Sequence, residues 1–167
     1  QDRVKTDADV FTLKYFCEII NSLNFNEVWV MDTHSSVTDA LINNVRFIDH
    51  IPYINCAISD INVENLLLFY PDEGAMKRYS GEMGMPYIFG VKDRDWKTGQ
   101  IKRLNLAGDV SMIEGKNILI IDDICSKGGT FYYAAKELKE AGAANIYLYV
   151  THCENTIYEG ELLKEDS

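Results

Sequence analysis

Apolar residues along this chain follow two rhythms, and the two alternate. Between Asp7 and Leu23 they fall at Val10, Leu13, Cys17 and Ile20, close to helical spacing. "EVWVMD" (27–32) is a short apolar run with acids at both ends, which predicts a strand. "SSVTDALINN" predicts a short helix with a Ser or Thr as its cap. "NLLLFY" (65–70) is continuously apolar, as in a strand buried on both faces, and it runs into the turn signal "PDEG". A helix is expected over 74–82, and "PYIFGV" reads as another strand. "DRDWKTGQIKRLNL" reads as a loop or hairpin with Thr98 and Gly99 near its tip. "NILII" (117–121) is the clearest buried strand. From Thr130 to Ala141 one face carries Phe131, Ala134, Ala135, Leu138 and Ala141, and Gly142 is a natural helix stop. "NIYLYV" (145–150) predicts a last strand.

Strands that alternate with helices predict an α/β fold, a mostly parallel sheet flanked by helices. The chain's 167 residues suit one well-packed core, and no repeat, low-complexity tract or linker interrupts them. A net charge of −10 disfavours non-specific nucleic-acid binding, which needs a basic surface, but leaves room for a local phosphate pocket. No apolar run approaches the roughly 20 residues that span a bilayer, and no signal peptide is visible, so the expectation is a cytoplasmic protein without membrane partners. Cys17, Cys56, Cys125 and Cys153 form no C-x-x-C pair and are read as free, buried thiols in a reducing compartment.

In open α/β sheets ligands bind at the carboxyl ends of strands. Three predicted strand ends carry suitable groups: Asp32, Thr33 and His34; Asp72; and the pair Asp122 and Asp123. Behind that pair come Ser126, Lys127, Gly128, Gly129 and Thr130, and then a helix. Adjacent glycines let backbone N–H groups approach a ligand, and a helix start offers unpaired donors and a positive dipole end, so a phosphate is the natural guest. The loop is neither a Walker A motif nor a dinucleotide fingerprint. Two carboxylates there do not attract phosphate. They suit sugar hydroxyls or a divalent cation, and a ribose phosphate would satisfy acids and loop together. A plain strand-to-helix turn with a capping residue and two solvated acids fits the same residues equally well.

"ILIIDDICSKGGT" resembles the phosphoribosyl diphosphate (PRPP) signature of the type I phosphoribosyltransferase fold, a Rossmann-like α/β architecture. "QDRV", "MDTHS", "FYPDEGAMKR", "GVKDRDWKTGQI" and "YLYVTHC" follow in the order seen in the ribose-phosphate pyrophosphokinase family, over nearly the whole chain. That resemblance implies transfer of diphosphate from Mg-ATP to the C1 hydroxyl of ribose 5-phosphate, giving PRPP and AMP for nucleotide and NAD biosynthesis. It implies that residues Ser126, Lys127, Gly128, Gly129 and Thr130 hold the 5-phosphate and that Asp122 and Asp123 take the ribose hydroxyls. Lys92 and Arg94 match the mobile-loop cations at the transferring phosphoryl group. His34 matches a catalytic position beside ATP and its magnesium, Asp32 and Asp72 match metal-associated acids, and Gln1 and Asp2 match part of an ATP-binding segment. Mg²⁺ is the implied cofactor and a homo-oligomer the implied assembly.

"PDEGAMKR" departs from the family's usual "PDAGGAKR"-like segment. The expected organisation is a remnant of a first phosphoribosyltransferase-like half over 1–50. A second half over 51–167 would carry the loop, with both ends of the chain cut short. Two alternatives share the loop: a phosphoribosyltransferase that consumes PRPP, and a non-catalytic regulator of the same fold. His50 and His152 are read as structural, while a helix cap remains the plain alternative for Asp32 and an ordinary turn acid for Asp72.

Overall fold

The computed structural model describes residues 4, 9–94 and 101–164, with 93, 94 and 101–103 as backbone only. The chain divides into two compact units, Gln1–His50 and Ile51–Ser167. The first contains α1 (Thr12–Ser22), β1 (Val28–Met31), α2 (Val37–Leu41) and β2 (Val45–Ile48). Strands β1 and β2 pair in parallel, Val28 with Val45 through Met31 with Ile48. Helix α1 is shorter than its apolar periodicity suggests and buries Cys17. Val10, which the periodicity places on the same helix, precedes it and is exposed.

The second unit follows the order α3 (Ile51–Ile61), β3 (Leu66–Tyr70), α4 (Glu73–Met83), β4 (Tyr87–Arg94), β5 (Ile101–Ala107), β6 (Asn117–Cys125), α5 (Gly129–Glu140) and β7 (Asn145–Cys153). Its sheet runs β5-β4-β3-β6-β7. Strand β3 is parallel to both β4 and β6, β6 is parallel to β7, and only β5 runs antiparallel, as the return arm of a ribbon with β4. This is the mostly parallel α/β sheet expected from the pattern.

The sheet separates two apolar layers because successive strand side chains point to opposite faces. On one face Phe69, Ile118 and Ile120 pack with Phe131, Ala134 and Leu138 of α5. On the other, Leu68, Leu119 and Ile121 pack with Ile54 of α3 and Tyr79 of α4. Strands β3 and β6 are central and buried on both sides, which explains their unbroken apolar runs.

Two features differ from the hydrophobic reading. Residues 45–61, to which the pattern assigns no element, form β2 and α3. Strand β2 has only four residues, and α3 starts with Ile51 and Pro52, where a proline in the first turn is tolerated. Strand β6 also does not stop at the aspartates. It continues to Cys125, with Asp122 opposite Val150, Ile124 opposite His152 and Cys125 opposite Cys153. The acids are therefore held by the sheet, not by a loop.

Candidate functional site

The loop after β6 opens onto a cavity of about 760 Å³ lined by Asp122, Ile124, Ser126, Lys127, Gly128, Gly129, Thr130, Phe131 and Tyr133. Asp122 and all five loop residues singled out by sequence thus face one space. Gly128 turns the chain with φ +76, in the left-handed region, and no side chain caps the start of α5. That helix start presents first-turn N–H donors and its positive dipole end, the arrangement that receives an anion. From behind, the segment after β7 backs the loop. A side chain at Gly128 would press on Leu162, one at Gly160 would collide with the Lys127 carbonyl, and Lys127 Nζ pairs with Glu159 at 2.9 Å.

The two aspartates divide their tasks. Asp123 is buried, and its Oδ2 accepts from Arg78 Nη1 at 2.9 Å, a close ion pair between β6 and α4. Burial alone would pull the Arg78 guanidinium down, but the hydrogen bond and charge of Asp123 raise it above its ordinary value. Asp122 stays at the cavity, and its Oδ1 accepts from the Asp123 amide at 3.0 Å. Burial pushes its pKa up to about 7, helped by the charge of Asp123 and, more weakly, by that of Asp72.

Asp72 caps α4, its Oδ1 accepting from the Ala75 amide at 3.0 Å, while its Oδ2 accepts from Lys92 Nζ at 2.7 Å. Burial raises its pKa, but the Lys92 hydrogen bond, the Ala75 amide and the Lys92 charge outweigh it and hold the carboxyl below the usual range. Lys92 therefore stands on β4, anchored to the acid at the end of β3, and not on a solvated loop. Gly90 permits this approach: a Cβ there would lie 2.7 Å from the Pro71 carbonyl oxygen and 2.9 Å from Leu104 Cδ1.

In the first unit Asp32 directly follows β1, is buried and has a left-handed φ of +46. The α2 cap position belongs to Ser36, so Asp32 is not that helix's cap. His34, Thr33 and Ser35 border a cavity of about 670 Å³ whose other walls include Leu13, Phe16, Val30 and Ile42. Among the described residues no three His, Cys, Asp or Glu side chains converge as a metal cage. Gln1 and Asp2 lie outside the described residues, as does the side chain of Arg94. Of the four thiols read as buried, Cys17 and Cys125 are, whereas Cys56 and Cys153 are exposed.

Arg78 is the residue that sequence reasoning missed. Lys77 and Arg78 stand side by side in "GAMKR", and helical geometry separates them: Lys77 pairs with exposed Glu73 at 2.8 Å, whereas Arg78 turns in to Asp123. Nothing in the sequence marks Arg78 over Lys77; the fold turns it inward next to Tyr79, which is fully buried.

Comparison with known proteins agrees with this geometry. Residues 74–166 match the phosphoribosyl transferase domain family. The ribose-phosphate pyrophosphokinase of Chlorobaculum tepidum is 30% identical over 91% of this chain and 47% of its own length. That of Pyrococcus abyssi is 31% identical over 91% of this chain and 53% of its own. The chain spans about half the length of the curated relatives it matches. Among solved structures, the phosphoribosylpyrophosphate synthetase of Mycobacterium smegmatis superposes with a TM-score of 0.70 at 22% identity, over 91% of this chain and 49% of that one. The purine phosphoribosyltransferase of Pyrococcus horikoshii superposes with a TM-score of 0.52 at 16% identity, over 84% and 85%. With the matched segment holding α4, the β4–β5 ribbon, both aspartates, the glycine loop and α5, the chain belongs to the phosphoribosyl transferase domain family and has the type I phosphoribosyltransferase fold.

Proposed function

We propose that this chain carries the ribose 5-phosphate half of a ribose-phosphate diphosphokinase. One observation carries the reading: the uncapped start of α5 and the Asp122 carboxyl line the same cavity. An anion receptor beside a hydroxyl acceptor fits a sugar phosphate better than either a free phosphate or a neutral sugar. The relatives named ribose-phosphate pyrophosphokinase, aligned over 91% of the chain, support the diphosphokinase over a base-adding transferase. On this reading residues 51–167 form the second phosphoribosyltransferase-like half and residues 1–50 part of the first.

The N–H groups and hydroxyls of residues 126–130 bind the 5-phosphate. Asp122 accepts hydrogen bonds from the ribose hydroxyls, and Asp123, fixed by Arg78, holds Asp122 in place through its amide. The C1 hydroxyl oxygen attacks the β-phosphorus of ATP, the bond between that phosphorus and the AMP oxygen breaks, and the hydroxyl proton leaves to solvent. Lys92, joined by Arg94, neutralises charge on the transferring group, the dominant need in phosphoryl transfer. A magnesium ion, when bound, would screen the phosphates. Such an ion would arrive on ATP, because Mg²⁺ usually takes only one or two protein carboxylates; Asp72 in the second unit and, separately, Asp32 and His34 in the first are the residues proposed to contact metal. Gln1, Asp2 and His34 belong to the ATP side in this proposal, and assembly as a cytoplasmic homo-oligomer completes it.

The test is AMP release from ATP with magnesium and ribose 5-phosphate, omitting each component in turn, on this chain and on the complete protein. AMP formed only with all three establishes the diphosphokinase. Pyrophosphate released from PRPP with a base, and no AMP, replaces it with a phosphoribosyltransferase, and neither product leaves a non-catalytic member of the fold. In the complete protein, Lys92→Ala is expected to lower turnover at least about 100-fold while sparing ribose 5-phosphate binding. Unchanged turnover would remove Lys92 from the mechanism.

A further inference from the structure

Cys125 and Cys153 face each other at the carboxyl ends of neighbouring strands. Cys125 is the last residue of β6, fully buried, and Cys153 is the last residue of β7 and exposed. They are direct register partners in a parallel ladder. Neighbouring strands lie about 4.8 Å apart, within the roughly 4.4–6.8 Å between Cα atoms that a disulfide spans. The ladder is already closed here, because the Glu154 amide donates to the Cys125 carbonyl at 2.8 Å. Cys125 Sγ meanwhile donates to the Ser126 carbonyl at 3.7 Å, the first carbonyl of the phosphate loop. Burial raises the Cys125 thiol to about 11, with the neighbouring Cys153 sulfur adding to the rise through its charge and a hydrogen bond. The shared register places the two residues side by side on one face of the sheet.

We propose that Cys125 and Cys153 are an oxidation site: a dithiol that a low-molecular-weight disulfide converts to an intramolecular disulfide at the root of the phosphate loop. Neither residue has a part in the phosphate transfer above, so the proposal stands apart from it. The exposed Cys153 is the entry thiol, since the buried one holds its proton. Its thiolate attacks one sulfur of the small disulfide, joining to it and expelling the first small thiol. Cys125 sulfur then attacks Cys153 sulfur, the bond to the second small thiol breaks, and the Cys125 proton leaves with solvent. Two protein thiols are oxidised and one small disulfide is reduced to two thiols. The new bond replaces the Cys125 contact with Ser126 and ties the start of the loop to β7.

The experiment incubates the full chain with oxidised glutathione, blocks remaining thiols, digests without reduction and maps the linked peptides by mass. The expected result is a peptide pair joining Cys125 to Cys153 as the main disulfide product, which Cys56→Ser leaves intact. Cys153→Ser is expected to lose it. A main linkage through Cys17 or Cys56, or a glutathione adduct that stays on Cys153 without transfer to Cys125, overturns the proposal. Should Cys153→Ser fail to fold, the wild-type map and the Cys56→Ser map still decide.

Discussion

Asp122 illustrates a residue kept against the interest of stability. Its folded pKa, about 7, lies above the roughly 3.9 of an unfolded aspartate. The folded chain therefore binds a proton that the unfolded chain releases between those values, and stability falls as pH rises through the window. Asp122→Asn removes the cost while its side-chain oxygen can still accept from the Asp123 amide. In urea unfolding it is expected to be more stable than the parent above about pH 7, with the gain vanishing on acidification below about 4, and to bind ribose 5-phosphate more weakly. Arg78 works in the other direction. Arg78→Met strands the buried Asp123 charge, and a loss of about 3–5 kcal/mol is expected at neutral pH by the same measurement. Tyr70 offers a third case: its hydroxyl is buried with no partner among the described residues, so Tyr70→Phe is expected to raise stability by about 1 kcal/mol in thermal unfolding. The residue types of the candidate site were legible in "NILIIDDICSKGGT". The pairing of Asp123 with Arg78 was not, because nothing local links positions so far apart in the chain.

At the scale of elements, periodicity served best where burial is one-sided or complete. The α5 stripe of Phe131, Ala134 and Leu138 is buried as its spacing requires, and the apolar runs of β3 and β6 are the sheet's centre. It failed at the end of β6, where the change from isoleucine to aspartate marks a change of environment along one strand, not the end of the ladder. Backbone pairing does not consult side-chain polarity. The pattern predicts "PYIFGV" as a strand and "DRDWKTGQIKRLNL" as a loop or hairpin, and the ladder from Phe89 opposite Ala107 outward carries β4 on to put Lys92 in a strand. Close approach at Gly90 makes this element sensitive to one methyl group. Gly90→Ala is expected to cost about 1–3 kcal/mol in denaturant unfolding and to disturb the Lys92 contact with Asp72.

Across the whole molecule, the two units hold their cores to different degrees. Among the described residues of the first, the buried apolar side chains are Cys17 and Ile42, and Phe16, Ile19 and Trp29 are exposed. The second encloses β3 and β6 between two apolar layers. Hydrogen exchange read by mass spectrometry is therefore expected to find the slowest amides in Ile118–Ile121 and much faster exchange in α1. Equal protection would contradict this ranking. The α/β class was readable from the alternation of elements, whereas a boundary after residue 50 came only from the family resemblance, because the packing that divides the two units leaves no local pattern. The backing of the glycine loop by Gly160 and Leu162 bears on how the protein is made. A ribosome delivers the loop before the residues that brace it, so the Gly128 turn cannot take its braced form until Leu162 has left the exit tunnel. A nascent chain would therefore have the residues of β3 to β7 in hand before the turn of its glycine loop is braced.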